Sequence, residues 1–303
     1  MTTHANKPKG RSIFSKHPFW LGNYYLVNIC FYLAATLGAL YWNRLFEQVS
    51  WWWVLSLIPL FLQRFRYIAA GAVILAIVCI IRFRAELSWT YFAALPVAIY
   101  LGHLSAVFIH NAVHNNFKPI WLNPIIGELC ALHQISAGFL VFKYVHYEHH
   151  AYPDIPKKDP HPPKGYSFWQ FVDQSRDLII SRLAAVYLES WGDTEKNRLK
   201  WRIQDGLLLM LRFTKTLFLF VLLGPKVFAL LYLPSYIANV FLFAAFNYFT
   251  HVEKADGSTE ILNLDNNGYF WFCNRTMFGV FYHKNHHLKA KLFNPMQMPE
   301  ATQ

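Results

Sequence analysis

Eight of the fourteen histidines fall in three five-residue windows. The first reads His110-Asn111-Ala112-Val113-His114. The second reads His146-Tyr147-Glu148-His149-His150, and the third His283-Lys284-Asn285-His286-His287. On a helix, positions i and i+4 share a face and i+3 joins them. The first window therefore points two imidazoles one way, and each of the others points three. Asn247 and His251, at the end of the last long apolar run, repeat the same spacing. Imidazole suits zinc, copper and iron alike, so ligand type does not choose the metal. One ion takes roughly four to six ligands, and redox catalysis needs some positions open. Nine imidazoles therefore imply two metal ions.

Other titratable residues read differently. His103, seven residues before His110, reads as a core histidine, and His133 as structural. His4, His17 and His161 read as surface residues. Glu148 points away from the face of its neighbours, as an acceptor behind a ligand or as a solvated charge. Asp154 and Asp159 follow the second window and are placed to accept a ring N–H from ligand imidazoles. Lys143, Lys157, Lys158 and Lys164 read as a basic face, with a meeting point for an acidic carrier as the alternative. The four cysteines form no CxxC pair, which argues against a cysteine zinc site or a disulfide framework.

The elements that must hold these groups are apolar. Of 303 residues, 55% are hydrophobic, 18% aromatic and only 15% charged. Mean hydropathy is +0.21. The formal charge of +11 fits basic cytosolic faces of a membrane protein better than nucleic-acid binding, so no nucleic acid is expected. Apolar runs long enough to span cover 20–42, 51–81 (as one helix or two), 89–109, 207–223 and 227–249, with Gly224-Pro225 as a turn. Parity favours six spans and leaves four as the alternative. The tail 1–19 carries Lys7, Lys9, Arg11 and Lys16 ahead of the first acid, Glu47, and is expected in the cytosol. It lacks the apolar core of a signal peptide. Residues 166–191 have helical apolar spacing, for a helix on the membrane surface or packed on a cap. The expected fold is all-α: a polytopic membrane helical bundle of four to six spans, one domain over 20–303. Its cytosolic histidine-rich cap is expected over 110–206 and 251–303.

Taken together, the three windows in this order resemble the membrane fatty acid desaturase family. Leu122-Asn123-Pro124-Ile125-Ile126-Gly127 resembles its LNxxxG stretch, Lys158-Asp159-Pro160 its KDP, and Asn247/His251 the Asn-x-x-x-His of stearoyl-CoA desaturases. The resemblance covers roughly His103 to Pro295. It implies two non-haem irons held by His110, His114, His146, His149, His150, His251, His283, His286 and His287. Asn247 would ligate directly or through water. It further implies O2 as co-substrate and a lipid or acyl-carrier substrate drawn from among membrane lipids. The external electron donor would be a ferredoxin, rubredoxin or cytochrome b5, and the reaction introduction of a double bond into an acyl chain. A hydroxylase, ketolase or alkene-forming oxidase on the same scaffold is the alternative. A membrane haem protein and a metal transporter are weaker rivals. The short, unfused chain points to a bacterial inner membrane rather than the endoplasmic reticulum, with the site on the cytosolic side.

Overall fold

The computed structural model describes residues 20–43, 55–62, 64–155 and 157–298. The expectations for the tail 1–19, including His4 and His17, and for residues 51–54 lie outside the described residues. Ten α-helices are described: α1 Gly22–Asn43, α2 Phe65–Phe83, α3 Thr90–Val113, α4 Leu122–His133, α5 Phe139–Ala151, α6 Phe168–Trp191, α7 Glu195–Val227, α8 Leu233–Thr250, α9 Gly268–Thr276 and α10 His283–Leu288. A two-stranded antiparallel ribbon, β1 His251–Glu253 and β2 Thr259–Ile261, follows α8. The chain is an all-α polytopic bundle.

Among the described residues, four helices are long and apolar enough to cross a membrane: Gly22–Trp42, Phe65–Glu86, Thr90–Val113 and Glu195–Thr250. The last is 56 residues long, about 84 Å if straight against a hydrocarbon core of about 30 Å. It bends instead. Gly224 has φ 72° and ψ 162°, outside the helical region, and Pro225 follows without an N–H to donate. The Phe220 and Phe228 rings consequently lie 5.4 Å apart across the bend, where a straight helix would separate them by about 12 Å along its axis.

Three boundaries differ from those read in the sequence. Helix α7 starts at Glu195, twelve residues before the apolar run, because Thr194 caps it by accepting the Asn197 N–H at 3.3 Å. The polar first turns hide that start from a hydropathy reading. In the region 51–81, the described part holds one long helix, α2, preceded by the short 3-10 turn Ile58–Phe61. Arg64 and Arg66 mark its start rather than interrupt it, and Asp173 accepts the Arg66 backbone N–H at 3.0 Å. His251 does not share a helix face with Asn247: it has φ −113° and ψ 104°, and is the first residue of β1.

Helix α6 is packed on protein along its apolar side. Phe171, Val172 and Leu178 pack with Ala244 of α8. Leu183, Val186 and Tyr187 pack with Tyr25, Ile29 and Leu211. Its first turn is closed by a capping box between Ser167 and Gln170.

The connection that positions the first two histidine windows is built by Asn123 and Gly127. Asn123 is fully buried. It accepts the Phe117 N–H at 3.0 Å and donates to the carbonyls of Phe117 at 3.0 Å and Ile120 at 2.7 Å. That pins the turn after His114 onto α4. At Gly127 a Cβ would fall 2.2 Å from the Phe139 ring. The glycine lets the start of α5, which carries the second window, close on α4.

Candidate metal centre

Four segments deliver the histidines to one place. Helix α3 carries His110 in its last turn and His114 at its C-cap. Helix α5 carries His146, His149 and His150, β1 begins with His251, and α10 carries His283, His286 and His287. The nine form two groups, each with its ligand-type atoms within 4.8 Å of one another: His110, His114, His146, His150 and His286 in one, and His149, His251, His283 and His287 in the other.

The nitrogens face inward. In the first group, His146 Nε2 lies 2.7 Å from His114 Nε2 and 2.9 Å from His150 Nε2, which is itself 2.9 Å from His286 Nε2. In the second, His283 Nε2 lies 3.0 Å from His251 Nε2 and 3.1 Å from His287 Nε2. One ring nitrogen carries either a proton or a lone pair, so it makes one such bond, not two. His146 and His283 therefore each have a neighbour that hydrogen bonding cannot satisfy. His110 Nε2 and His149 Nε2 are buried with no hydrogen-bond partner. Converging, unsatisfied imidazole nitrogens are the donor set a cation completes. The residues present fit two metal ions.

Two buried carboxylates orient the second group. Asp159 Oδ2 accepts from His149 Nδ1 at 2.9 Å, and Asp154 Oδ2 from His251 Nδ1 at 2.6 Å. A proton held on Nδ1 leaves Nε2 with its lone pair toward the centre. Asp159 is itself fixed by the backbone N–H groups of Asp154 at 2.7 Å and His161 at 2.9 Å.

The electrostatics agree. Burial, helped by neighbouring imidazoles, holds the pKa of His146, His150, His283, His286 and His287 well below the ordinary histidine value. His114 is pushed down to about 4 by burial and then by Lys143. Burial also works against charge on His149, but the Asp159 carboxylate outweighs it and raises that pKa. Neutral imidazole is the form that ligates.

Asn247 is buried, and its Nδ2 donates to the Phe243 carbonyl at 2.8 Å. His161 is the residue that sequence reasoning misplaced. It is 3% exposed, its ring stacks on His149 at 4.3 Å, and it groups with His149 and Asp159. The available signal was its place two residues after Asp159. Glu148 is fully buried and so is no solvated charge. His103 and His133 stand outside both groups. His103 Nε2 lies 3.4 Å from the Ala238 carbonyl, and His133 contacts the Ser105 and Ser235 hydroxyls. Three of the four basic-face lysines have local partners: Lys164 pairs with Glu253 at 3.3 Å, and Lys143 and Lys158 lie over the rings of Tyr147 and Tyr152.

Aromatic rings close the centre. Phe142 stacks on His146 at 5.9 Å and Phe246 lies 4.4 Å from the His283 ring. A small cavity of about 40 Å³ reaches His110, His283 and His286 between Phe243, Phe246 and Phe293.

Compared with known proteins, the chain matches the model of one family, described as fatty acid desaturase, over residues 87–293. That is about two thirds of its length and includes every histidine of both groups. No curated protein and no solved structure matches it.

Proposed function

The chain belongs to the fatty acid desaturase family, and from that premise we propose that this integral membrane oxidoreductase is a di-iron acyl desaturase. It uses O2 and electrons from a separate ferredoxin, rubredoxin or cytochrome b5 to place a double bond in an acyl chain. The observation that supports this reading most is the sorting of nine imidazoles into two adjacent groups of five and four. Irons bound there would supply oxygen activation and removal of hydrogen from an unactivated C–H bond.

The chain's own part is positioning. His110, His114, His146, His150 and His286 form one ligand set, and His149, His251, His283 and His287 the other. Asn247 joins through its amide oxygen, since its Nδ2 is engaged by Phe243. Asp154 and Asp159 hold the tautomers of His251 and His149. Phe142, Phe243 and Phe246 keep water from the centre and shape the approach of an apolar chain. Desaturation rather than hydroxylation requires two adjacent C–H bonds to be held within reach.

The basic tail supports a site on the cytosolic side of the membrane. Ligands drawn from distant segments support a single domain over 20–303.

The test is to express the chain and His286→Ala with a compatible electron donor and compare lipids by mass spectrometry. An acyl species lighter by two hydrogens, absent in the variant, is expected. One heavier by an oxygen moves the reaction to hydroxylation, and a shortened terminal alkene to oxidative decarboxylation. Purified protein is expected to hold about two irons per chain; none would sink the reading.

A further inference from the structure

A second, larger cavity of about 200 Å³ lies beside the metal centre, with Phe142 and Phe243 in its wall. Phe142 is the ring that stacks on His146, and Phe243 also lines the small cavity at His110 and His286. Phe243 is thus shared by the walls of the two spaces. Most of the larger cavity is apolar, lined by side chains such as Val141, Val145, Leu183 and Val240. An acyl chain would need no more than that.

The cavity offers more. Arg212, on the membrane-spanning part of α7, is 5% exposed and lines it. Asn239 of α8 is 4% exposed, lines it too, and has a buried amide oxygen with no hydrogen-bond partner. An amide can turn by half a rotation and offer its N–H₂ instead, so this group can donate as well as accept. A buried cation inside a membrane span is costly and marks a functional position by default. Lys215, one turn further along α7, does not line the cavity. Its Nζ lies 3.4 Å from the Ser136 carbonyl and 5.5 Å from the Tyr32 ring centre. Asp205, seven residues before Arg212 on α7, also lines the space, and its carboxylate interacts electrostatically with the guanidinium. The cavity is therefore greasy over most of its wall, with a guanidinium and an amide group short of a partner set into it.

We propose that this cavity takes a lipid by its carboxylate: a free carboxylic acid whose head group is held inside the protein by Arg212 and Asn239. The planar guanidinium matches a carboxylate with two parallel N–H donors, and the low-dielectric surroundings strengthen that pairing. The tail then runs along the apolar wall toward Phe142 and Phe243, where the metal centre begins. This names the substrate class and rests on the reading of the chain as an acyl-lipid oxidase. A thioester-bound acyl chain, whose bulky carrier stays outside, offers Arg212 one neutral carbonyl oxygen in place of a charged, two-oxygen carboxylate.

Saturable binding tests it without turnover. The full-length protein in lipid nanodiscs is titrated with labelled dodecanoate, methyl dodecanoate and dodecanol near pH 8, where a carboxyl of ordinary pKa about 4 is ionised. The acid is expected to bind at least tenfold more tightly than the ester or the alcohol. Arg212→Leu is expected to abolish that preference while leaving ester binding unchanged, which also shows that the variant folds. Arg212→Lys should retain part of it, because a point charge replaces the fork. Equal binding of acid and ester, a preference that survives Arg212→Leu, an alcohol that matches the acid, or no saturable binding would each overturn the proposal. Because the readout needs neither metal nor electrons, its failure leaves iron content and double-bond formation as separate questions. Loss of those leaves the binding result standing.

Discussion

Asp154 and His251 are 97 positions apart in the chain, yet Asp154 Oδ2 lies 2.6 Å from His251 Nδ1 and both residues are buried. One comes from the loop after the second histidine window, the other from the start of β1. The contact ties the loop to the ribbon and fixes which nitrogen of His251 faces the other three imidazoles. Removing such a partner typically lowers metal affinity 10- to 100-fold. Asp154→Ala is expected to do so for one of two ions. Asp154→Asn is expected to retain more, because an amide oxygen still accepts and asparagine tolerates the φ of 58° at this position. Metal retained against a graded chelator, measured for both variants, checks the order. Equal retention by Asp154→Ala and the parent would refute it.

His149 and His150 are neighbours in sequence but belong to different groups. Successive residues on a helix point about 100° apart, so α5 serves both centres from adjacent positions. His150→Ala and His149→Ala are each expected to lower bound iron from about two per chain to about one. The double variant should bind almost none. Metal analysis of purified protein decides it. If either single variant lost both ions, the two groups would be one cooperative site.

That division was not legible in the sequence. The spacing of each window is local, so eight inward-facing imidazoles could be read from 3.6-residue periodicity, whereas His251 stands on β1 and not on the helix face that periodicity gave it. The sorting of all nine into five and four depends on where α3, α5, β1 and α10 meet. The bend at Gly224-Pro225 was legible because both residues act through their own backbones. The start of α7 at Glu195 was not, because its polar first turns break the apolar run that marks a span. His161 was missed for a related reason. It sits in a proline-rich loop without periodicity, and its burial is set by Asp159 and His149, not by its neighbours. Arg212 is one of two charges, with Lys215, in the apolar run 207–223, and only the meeting of α5, α6, α7 and α8 places it in a cavity.

The metal-free protein should lose stability on mild acidification. Burial holds His114 at about 4, against an ordinary value of about 6.5. Above 6.5 it is neutral in folded and unfolded chains, and pH has no leverage. Between 6.5 and 4 the unfolded chain takes up a proton that the folded chain refuses, so stability falls as pH falls through that window. His146, His150, His283, His286 and His287 are depressed in the same direction and add to the slope. Thermal unfolding of chelator-treated protein from pH 7.5 to 5 should show a progressive loss, shallower in His114→Phe. A melting temperature that rises on acidification would contradict the buried neutral imidazoles.

Gly138 precedes α5 with φ 106° and ψ 161°, a region open almost only to glycine. A Cβ there would also fall 2.2 Å from the Tyr24 hydroxyl. Tyr24 is hydrogen-bonded to Glu128 and cannot simply swing away. Gly138→Ala therefore combines backbone strain of about 1–3 kcal/mol with a steric conflict, at the joint that aims His146, His149 and His150. Gly165 also has positive φ, 82°, but nothing lies within 4 Å of its Cβ position, so Gly165→Ala carries strain alone. Gly138→Ala is expected to lower the melting temperature several degrees more than Gly165→Ala and to reduce bound metal, whereas Gly165→Ala leaves metal content unchanged. Similar melting and metal content in the two variants would mean that α5 is aimed by something other than this close approach to α1.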